Sequence, residues 1–140
     1  METWDPYQAL YLHIPFCKQR CNYCDFETQA IDQDNEAIDT YVDNLIAQVR
    51  SYSNQDLLGN IKTVYLGGGT PSYLGNKRLS SLLYALSISL HLTPEVECTL
   101  EANPDSLSLP MVKDLFALGV TRISLLQGLA ENFLVFDRVI

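Results

Sequence analysis

Positive charge is scarce in this sequence. Lysine and arginine together number 9, against 17 aspartates and glutamates, and the formal net charge is −8 over 140 residues. A protein that binds nucleic-acid phosphates needs a basic surface, so this charge balance argues against a nucleic-acid partner.

Long hydrophobic runs and targeting signals are also missing. No stretch approaches the ~18 uninterrupted apolar residues of a transmembrane helix, because serines and a histidine interrupt the richest segment, residues 82–92. The N-terminus lacks the basic and apolar regions of a secretory signal. We therefore expect a cytoplasmic protein with no membrane span. A composition of 47% hydrophobic and 19% charged residues is typical of a folded domain.

Cysteines are few, but three of them form one motif, C-x3-C-x2-C at Cys17, Cys21 and Cys24. In a reducing compartment such a cluster indicates a metal site rather than disulfides. An iron–sulfur cluster on four thiolates is coordinatively closed, whereas three thiolates leave one iron open for chemistry. A zinc site completed by His13 is the alternative. The fourth cysteine, Cys98, falls within an apolar strand pattern and is expected to be a buried core thiol.

Short apolar runs alternate with helical patterns along the chain, which predicts an α/β protein with a parallel sheet. Apolar spacings of three and four residues predict three helices. Ser108 is a candidate N-cap of the third helix, and Gly119 follows its last turn. The predicted strands cover residues 9–14, 61–66, 95–101 and 120–126, and the predicted helices cover residues 35–52, 79–90 and 108–118.

Three polar or glycine-rich segments follow the first three predicted strands, namely the cysteine motif, residues 67–70 and residues 101–104. Parallel strands joined by right-handed crossovers bring such segments to one sheet edge, which is where ligands bind in α/β folds. We therefore expect one site at this edge.

The glycine segment, Glu101 and Tyr11 can each be interpreted either as a structural feature or as part of a binding site. The Gly67-Gly68-Gly69-Thr70-Pro71 segment fits neither a P-loop nor a dinucleotide-binding motif. It is either a tight turn or a place where backbone carbonyls approach an ammonium group. Glu101 is either a solvated charge or an acceptor for ribose hydroxyls. Tyr11 is either a core aromatic or a wall of the site.

Five sequence segments occur here in a characteristic order. They are YLHIPFC (11–17), the cysteine motif with Tyr23, GGGTPS (67–72), EANP (101–104) and GVTRIS (119–124). Together they closely resemble the radical S-adenosylmethionine (radical SAM) superfamily. Within it they resemble the oxygen-independent coproporphyrinogen III oxidase-like and heme chaperone proteins, over residues 7–124.

This resemblance implies a [4Fe–4S] cluster on Cys17, Cys21 and Cys24. It also implies S-adenosylmethionine (SAM) bound to the open iron and an electron donor that reduces the cluster. The reduced cluster then breaks SAM into methionine and a 5′-deoxyadenosyl radical. Five residues are expected to line the SAM site, namely Tyr11, Tyr23, Gly69, Thr70 and Glu101.

Two departures separate the branches of this family. The coproporphyrinogen oxidase has a further cysteine two residues after the third, where this chain has Phe26. That enzyme also carries an N-terminal extension, whereas the first predicted strand begins here at residue 9. Both departures favour the heme chaperone, with heme as cargo and heme-accepting client proteins as partners. Oxidative decarboxylation of coproporphyrinogen is the alternative.

The last segment of the sequence departs from the family pattern. The family continues with a glycine-valine-glutamine segment and further βα units, whereas Gln127 falls one residue early. We expect residues 1–125 to form the N-terminal part of a radical SAM core, an incomplete barrel of about four parallel strands and three helices. Residues 126–140 are expected to be an atypical tail at a truncation, so an inactive fragment is a third interpretation.

Overall fold

The computed structural model describes residues 7–17, 29–90, 95–127 and 132–137. Its strands are β1 Ala9–Ile14, β2 Phe16–Cys17, β3 Gln29–Ala30, β4 Thr63–Gly68, β5 Glu97–Ala102, β6 Arg122–Gln127 and β7 Asn132–Asp137. Its α-helices are α1 Glu36–Asn54, α2 Gly75–Leu90 and α3 Leu109–Ala117. Two 3₁₀ turns, Pro71–Leu74 and Pro104–Ser106, follow β4 and β5.

The main sheet has five strands in the order β1-β4-β5-β6-β7. The first four are parallel to one another, and helices α1, α2 and α3 connect them in sequence. This confirms the predicted α/β class with four parallel strands and three helices. The short strands β2 and β3 pair in a separate two-stranded sheet.

A fifth strand of the main sheet was not predicted. Strand β7 pairs antiparallel with β6, with Phe133 opposite Leu126 and Val135 opposite Ser124. The run Phe133-Leu134-Val135-Phe136 has the composition of a strand, but neither a cap nor a turn signal marks it in the sequence.

The helix boundaries follow the capping residues. The Asn35 side chain caps α1 by accepting a hydrogen bond from the Ala37 N–H at 2.8 Å. Ser108 caps α3 in the same way, accepting from the Met111 N–H at 3.3 Å. Gly119 follows α3 with a φ of 117°, the left-handed conformation that glycine adopts without steric cost. These caps confirm the predicted starts of both helices and the predicted end of α3.

Side chains alternate between two faces of the parallel strands. One face carries the apolar residues that form the core with the helices: Leu12, Ile14, Val64, Leu66, Cys98, Leu100, Ala102 and Ile123. The pleat and the strand register place Tyr11, His13, Tyr65, Thr99 and Glu101 on the opposite face, here called the polar face. The fold thus separates a packing face from a face with polar side chains.

Cys98 lies within the core and is completely buried, as predicted. Burial raises the pKa of its thiol to about 12, so it stays protonated at neutral pH. Of the helices that the structure describes, none is both long and apolar enough to span a bilayer.

Candidate functional site

The glycine segment lies against the start of the cysteine motif, at the carboxyl ends of β1 and β4. The Gly69 N–H donates to the carbonyl of Ile14 at 2.8 Å, and the Thr70 N–H donates to the carbonyl of Phe16 at 2.8 Å. These two bonds join the turn after β4 to the backbone next to Cys17. The predicted convergence of these two segments at one sheet edge is therefore observed.

Glycine is required at position 69 for this close approach. A Cβ atom there would lie 2.6 Å from the carbonyl oxygen of Phe16 and 3.0 Å from its amide nitrogen. Both neighbours are backbone atoms that cannot move aside cheaply. Any side chain at this position would therefore push the turn away from β2.

Cys17 is buried at this edge, with 5% of its surface exposed. Its carbonyl accepts a hydrogen bond from the Ile31 N–H at 3.2 Å, which holds β2 beside β3. The other predicted cluster ligands, Cys21 and Cys24, lie outside the described residues, as does Tyr23. Within the described part of the chain, no three His, Cys, Asp or Glu side chains are grouped to hold a metal. Cys17 is therefore the one predicted ligand with a known position.

Glu101 lies near the carboxyl end of β5 and is half-buried. Its Oε1 accepts a hydrogen bond from the Gly68 N–H at 2.9 Å, across to the end of β4. Glu101 is thus not a freely solvated charge, because this donor from β4 holds it at the sheet edge.

Tyr65 shares the polar face with Glu101, and its hydroxyl resists ionisation. Burial and the negative charge of Glu101 raise the pKa of Tyr65 to about 12. An ionised phenol near the carboxylate would be repelled by its charge. The phenol therefore stays protonated across the physiological pH range.

Tyr11 belongs to the polar face and not to the hydrophobic core. Its side chain is stacked on Tyr65, with ring centroids 6.0 Å apart and an interplanar angle of 16°. A hydrogen bond of 3.1 Å joins its hydroxyl to Nδ1 of His13. Burial and the charge of Glu101 raise the pKa of Tyr11. With 56% of its surface exposed, Tyr11 can contact a ligand on this face.

A cavity of about 590 Å³ adjoins the carboxyl edge. Thr70, Tyr73, Asn103 and Ser106 are among the residues that line it. Thr70 thus faces this cavity, while Glu101 and Tyr11 lie on the polar face. The backbone of residues 68–70 links the polar face to the cavity. The Gly68 N–H donates to Glu101 on the polar face, and Thr70, which lines the cavity, donates its N–H to the carbonyl of Phe16.

A buried serine holds two walls of the cavity together. The Ser72 hydroxyl is completely buried and accepts a hydrogen bond from the Asn103 N–H at 3.0 Å. It is also hydrogen-bonded to the hydroxyl of Ser106, which donates to the carbonyl of Asn103 at 2.8 Å. Ser72 therefore fixes the 3₁₀ turn after β4 against the turn after β5.

Sequence reasoning assigned no role to Ser72 or Tyr65. Ser72 belongs to the GGGTPS segment, which identifies the turn that contains it but not the residues with which its hydroxyl forms hydrogen bonds. Tyr65 fits the regular alternation of side chains along its strand, so the sequence pattern does not single it out. The contacts of Ser72 and Tyr65 depend on which strands lie next to each other in the sheet.

Comparison with known proteins identifies the family to which this chain is similar. The family model described as "Radical SAM superfamily" matches residues 11–132. Heme chaperone HemW of Lactococcus lactis is 42% identical over 84% of this chain and 29% of its own length. HemW of Escherichia coli is 35% identical over 91% of the chain and 34% of its own length. The chain thus spans about a third of the length of these curated relatives.

A solved structure also matches. The coproporphyrinogen III oxidase HemN of Escherichia coli, described as a radical SAM enzyme, aligns with a TM-score of 0.74 at 26% identity. The alignment covers 87% of this chain and 28% of HemN. The family match and this structural match confirm the resemblance drawn from the five sequence segments. The chain belongs to the radical SAM superfamily.

Proposed function

We propose that this chain provides the cluster- and SAM-binding part of a heme chaperone, a cytoplasmic radical SAM protein that binds heme and transfers it to client proteins. The observation that carries the proposal is the pair of backbone hydrogen bonds from Gly69 and Thr70. They bring the glycine turn next to Cys17 at the sheet edge where Glu101 also lies. Membership of the superfamily implies a [4Fe–4S] cluster and SAM as cofactors.

The residues present suit such a cluster. Thiolates are the usual protein ligands of iron–sulfur clusters. Cys17 is buried beside the glycine turn, and Cys21 and Cys24 follow it in the same C-x3-C-x2-C motif of the sequence. We assign the cluster to these three cysteines. When bound and reduced by an electron donor, the cluster supplies the electron that cleaves the sulfonium of SAM.

The chain's own residues would bind and orient SAM. Glu101 keeps acceptor capacity beyond its bond to Gly68, because a carboxylate can accept about four hydrogen bonds, and we assign it to the ribose hydroxyls. We assign Gly69 and Thr70 to the amino-acid end of SAM, and Tyr11 and Tyr23 to the walls of the site. Tyr11 supports this assignment through its exposed ring on the polar face.

The heme chaperone is favoured over the decarboxylase by two observations. Relatives at 35–42% identity are named heme chaperone HemW. Phe26 also occupies the position where the decarboxylase carries a further cysteine. Decarboxylation of coproporphyrinogen is the second candidate, because the matching solved structure is that of coproporphyrinogen III oxidase.

Anaerobic reconstitution with iron and sulfide tests the cluster assignment. We expect about four irons per chain in the unsubstituted protein, as a [4Fe–4S] cluster requires, and loss of the cluster in Cys17→Ala. The matched control is Cys98→Ala, because Cys98 is buried among apolar side chains away from the sheet edge. A cluster that survives Cys17→Ala would contradict the proposal.

Two titrations of the reconstituted chain separate the two functions. Heme added stepwise should produce a saturable change in the absorbance spectrum if the chain belongs to a heme chaperone. Coproporphyrinogen with SAM and a reductant should release carbon dioxide only if the decarboxylase is the correct function. Carbon dioxide release without heme binding would reject the chaperone.

A further inference from the structure

We propose that Tyr73 is a positioning residue that holds Cys17 in place at the sheet edge and thereby slows the loss of iron from the cluster. This inference rests on the proposed function, because that function assigns the cluster to Cys17. Tyr73 acts through the backbone of Ile31 and is not itself a cluster ligand.

Ile31 is hydrogen-bonded through both polar groups of its backbone. Its N–H donates to the carbonyl of Cys17 at 3.2 Å. Its carbonyl accepts a hydrogen bond from the Tyr73 hydroxyl at 2.6 Å. The phenol therefore fixes the residue whose amide fixes the Cys17 backbone, and two hydrogen bonds separate Tyr73 from the predicted ligand.

Tyr73 belongs to the 3₁₀ turn Pro71–Leu74, which is itself anchored to the core. Its two neighbours in the turn, Ser72 and Leu74, are both buried. A second bond joins the same turn to the chain after Ile31, because Nε2 of Gln33 donates to the carbonyl of Tyr73 at 2.8 Å. The two segments thus each donate one hydrogen bond to the other.

The turn after β4 holds the backbone around Cys17 from a second direction. The Thr70 N–H donates to the carbonyl of Phe16, the residue before Cys17, at 2.8 Å. Of the hydrogen bonds that lead from this turn to Cys17, that of the Tyr73 hydroxyl comes from a side chain and can be removed by substitution. Tyr73→Phe keeps the ring that packs against the core and loses only the hydroxyl.

The test is the rate at which an iron chelator removes iron from the reconstituted chain under native, anaerobic conditions. We expect Tyr73→Phe to lose iron about 3- to 10-fold faster, the range for loss of one neutral hydrogen bond. The matched control, Tyr84→Phe, removes a hydroxyl from a tyrosine that is 60% exposed on α2, and should lose iron like the unsubstituted chain. An unchanged rate in Tyr73→Phe would overturn the inference.

Val49→Ala separates local positioning from a general loss of stability. Val49 is buried in the second half of α1, the helix that leads to the amino end of β4 and so away from the carboxyl edge. Its truncation leaves a cavity and lowers the free energy of unfolding. If Tyr73 acts locally, Val49→Ala should keep the unsubstituted rate of iron loss. Equal acceleration in Val49→Ala and Tyr73→Phe would overturn the inference, because global unfolding would then control the rate.

Amide hydrogen exchange tests the same contacts without the cluster. In the unloaded chain we expect the Ile31 amide to exchange about 3- to 10-fold faster in Tyr73→Phe. The amides of β5 should keep their rates, because a local opening exposes only the segment that opens. Unchanged exchange at Ile31 would reject the role of Tyr73. An unsubstituted chain that takes up no iron would instead reject the proposed function, and the role of Tyr73 in retaining iron would fail with it.

Discussion

Gly67 has no room for a side chain, because two functional groups of the polar face occupy the space beside it. Gly67→Ala would place a methyl group 2.5 Å from Glu101 and 2.8 Å from Tyr65. We expect the free energy of unfolding to fall by about 1–3 kcal/mol, the usual cost of overpacking, and SAM affinity to fall with it. Urea denaturation and equilibrium dialysis measure the two effects.

The control for this substitution is Thr63→Ala, at the exposed start of the same strand. It changes strand propensity without adding atoms near Glu101. A Gly67→Ala protein with the stability and SAM affinity of the unsubstituted chain would show that the carboxylate can move aside without cost.

Ser72 carries a different residue-scale prediction, on stability. Ser72→Ala would leave the Asn103 N–H without the acceptor it has at 3.0 Å and would also remove the bond to Ser106. We expect a loss of about 1–3 kcal/mol in the free energy of unfolding, the cost of an unsatisfied buried donor. Urea denaturation measures it.

Ser81→Ala is the control for Ser72→Ala, because Ser81 is an exposed serine on α2. A surface substitution of this kind usually changes stability by no more than about 0.5 kcal/mol. Equal effects of the two substitutions would mean that Ser72 does not hold the two turns together.

The convergence of the site could be predicted at the residue scale, but its internal contacts could not. The ends of β1, β4 and β5 were expected at one edge, and Cys17, Gly69 and Glu101 follow from that. The approach of both Tyr65 and Glu101 to Gly67 depends on the register between β4 and β5, which strand propensity does not specify. The roles of Tyr11, Tyr23, Gly69, Thr70 and Glu101 in SAM binding stay predictions.

At the scale of secondary-structure elements, helices and strands could be predicted where capping residues or a periodic pattern mark them in the sequence. Helices α1 and α3 begin next to capping side chains, and the sequence marks both. Strands β2 and β3 have two residues each, too few for a periodic pattern. Strand β7 lacks a turn signal before it, and its pairing with β6 is a tertiary contact.

An ion pair joins the start of α2 to α1. Arg78 donates to both carboxylate oxygens of Asp39, from Nε at 2.7 Å and from Nη2 at 3.1 Å. It also donates to the carbonyl of Gln33. The hydrogen bond from Arg78 lowers the pKa of Asp39 below its ordinary value of 3.8.

The depressed pKa of Asp39 predicts a pH-dependent stability. A carboxylate whose pKa is lower in the folded state stabilises the fold above its unfolded pKa, and this contribution is lost as the pH falls through the folded pKa. We therefore expect Asp39→Asn to be less stable than the unsubstituted chain at neutral pH. The difference should shrink below about pH 4, where the unfolded carboxyl becomes protonated. Urea midpoints measured over a pH series check this.

Asp43→Asn is the control for the ion pair, because it removes an equal charge one turn further along α1. If Asp39→Asn and Asp43→Asn lose stability equally and with the same pH dependence, then net charge and not the pair with Arg78 causes the effect.

At the scale of the whole molecule, the parallel sheet explains why one edge holds the chemistry. Parallel strands direct all their carboxyl ends to the same edge, so segments far apart in sequence meet there. The core face of the sheet is filled by aliphatic side chains beneath the helices. Stability therefore comes mainly from one face, while the polar face and the edge carry the groups assigned to SAM and the cluster.

The proposed cofactors should in turn stabilise this assembled sheet. SAM would contact groups from the ends of β1, β4 and β5, which are brought together only in the folded state. A ligand that binds only the folded state at about 100 times its dissociation constant adds about 2.7 kcal/mol to the free energy of unfolding. For a domain of this size that raises the melting temperature by roughly 10 °C. Anaerobic thermal unfolding followed by circular dichroism measures the rise in the reconstituted chain.

Two variants test whether this stabilisation depends on the cluster. Cys98→Ala changes a buried core thiol, and its reconstituted form should show the full increase with SAM from its own, lower melting temperature. Cys17→Ala should show almost none, because without an open iron SAM loses the contact that anchors its amino and carboxylate groups. An equal increase in both variants would mean that SAM binds the polar face independently of the cluster, and the cysteine motif would then need another function.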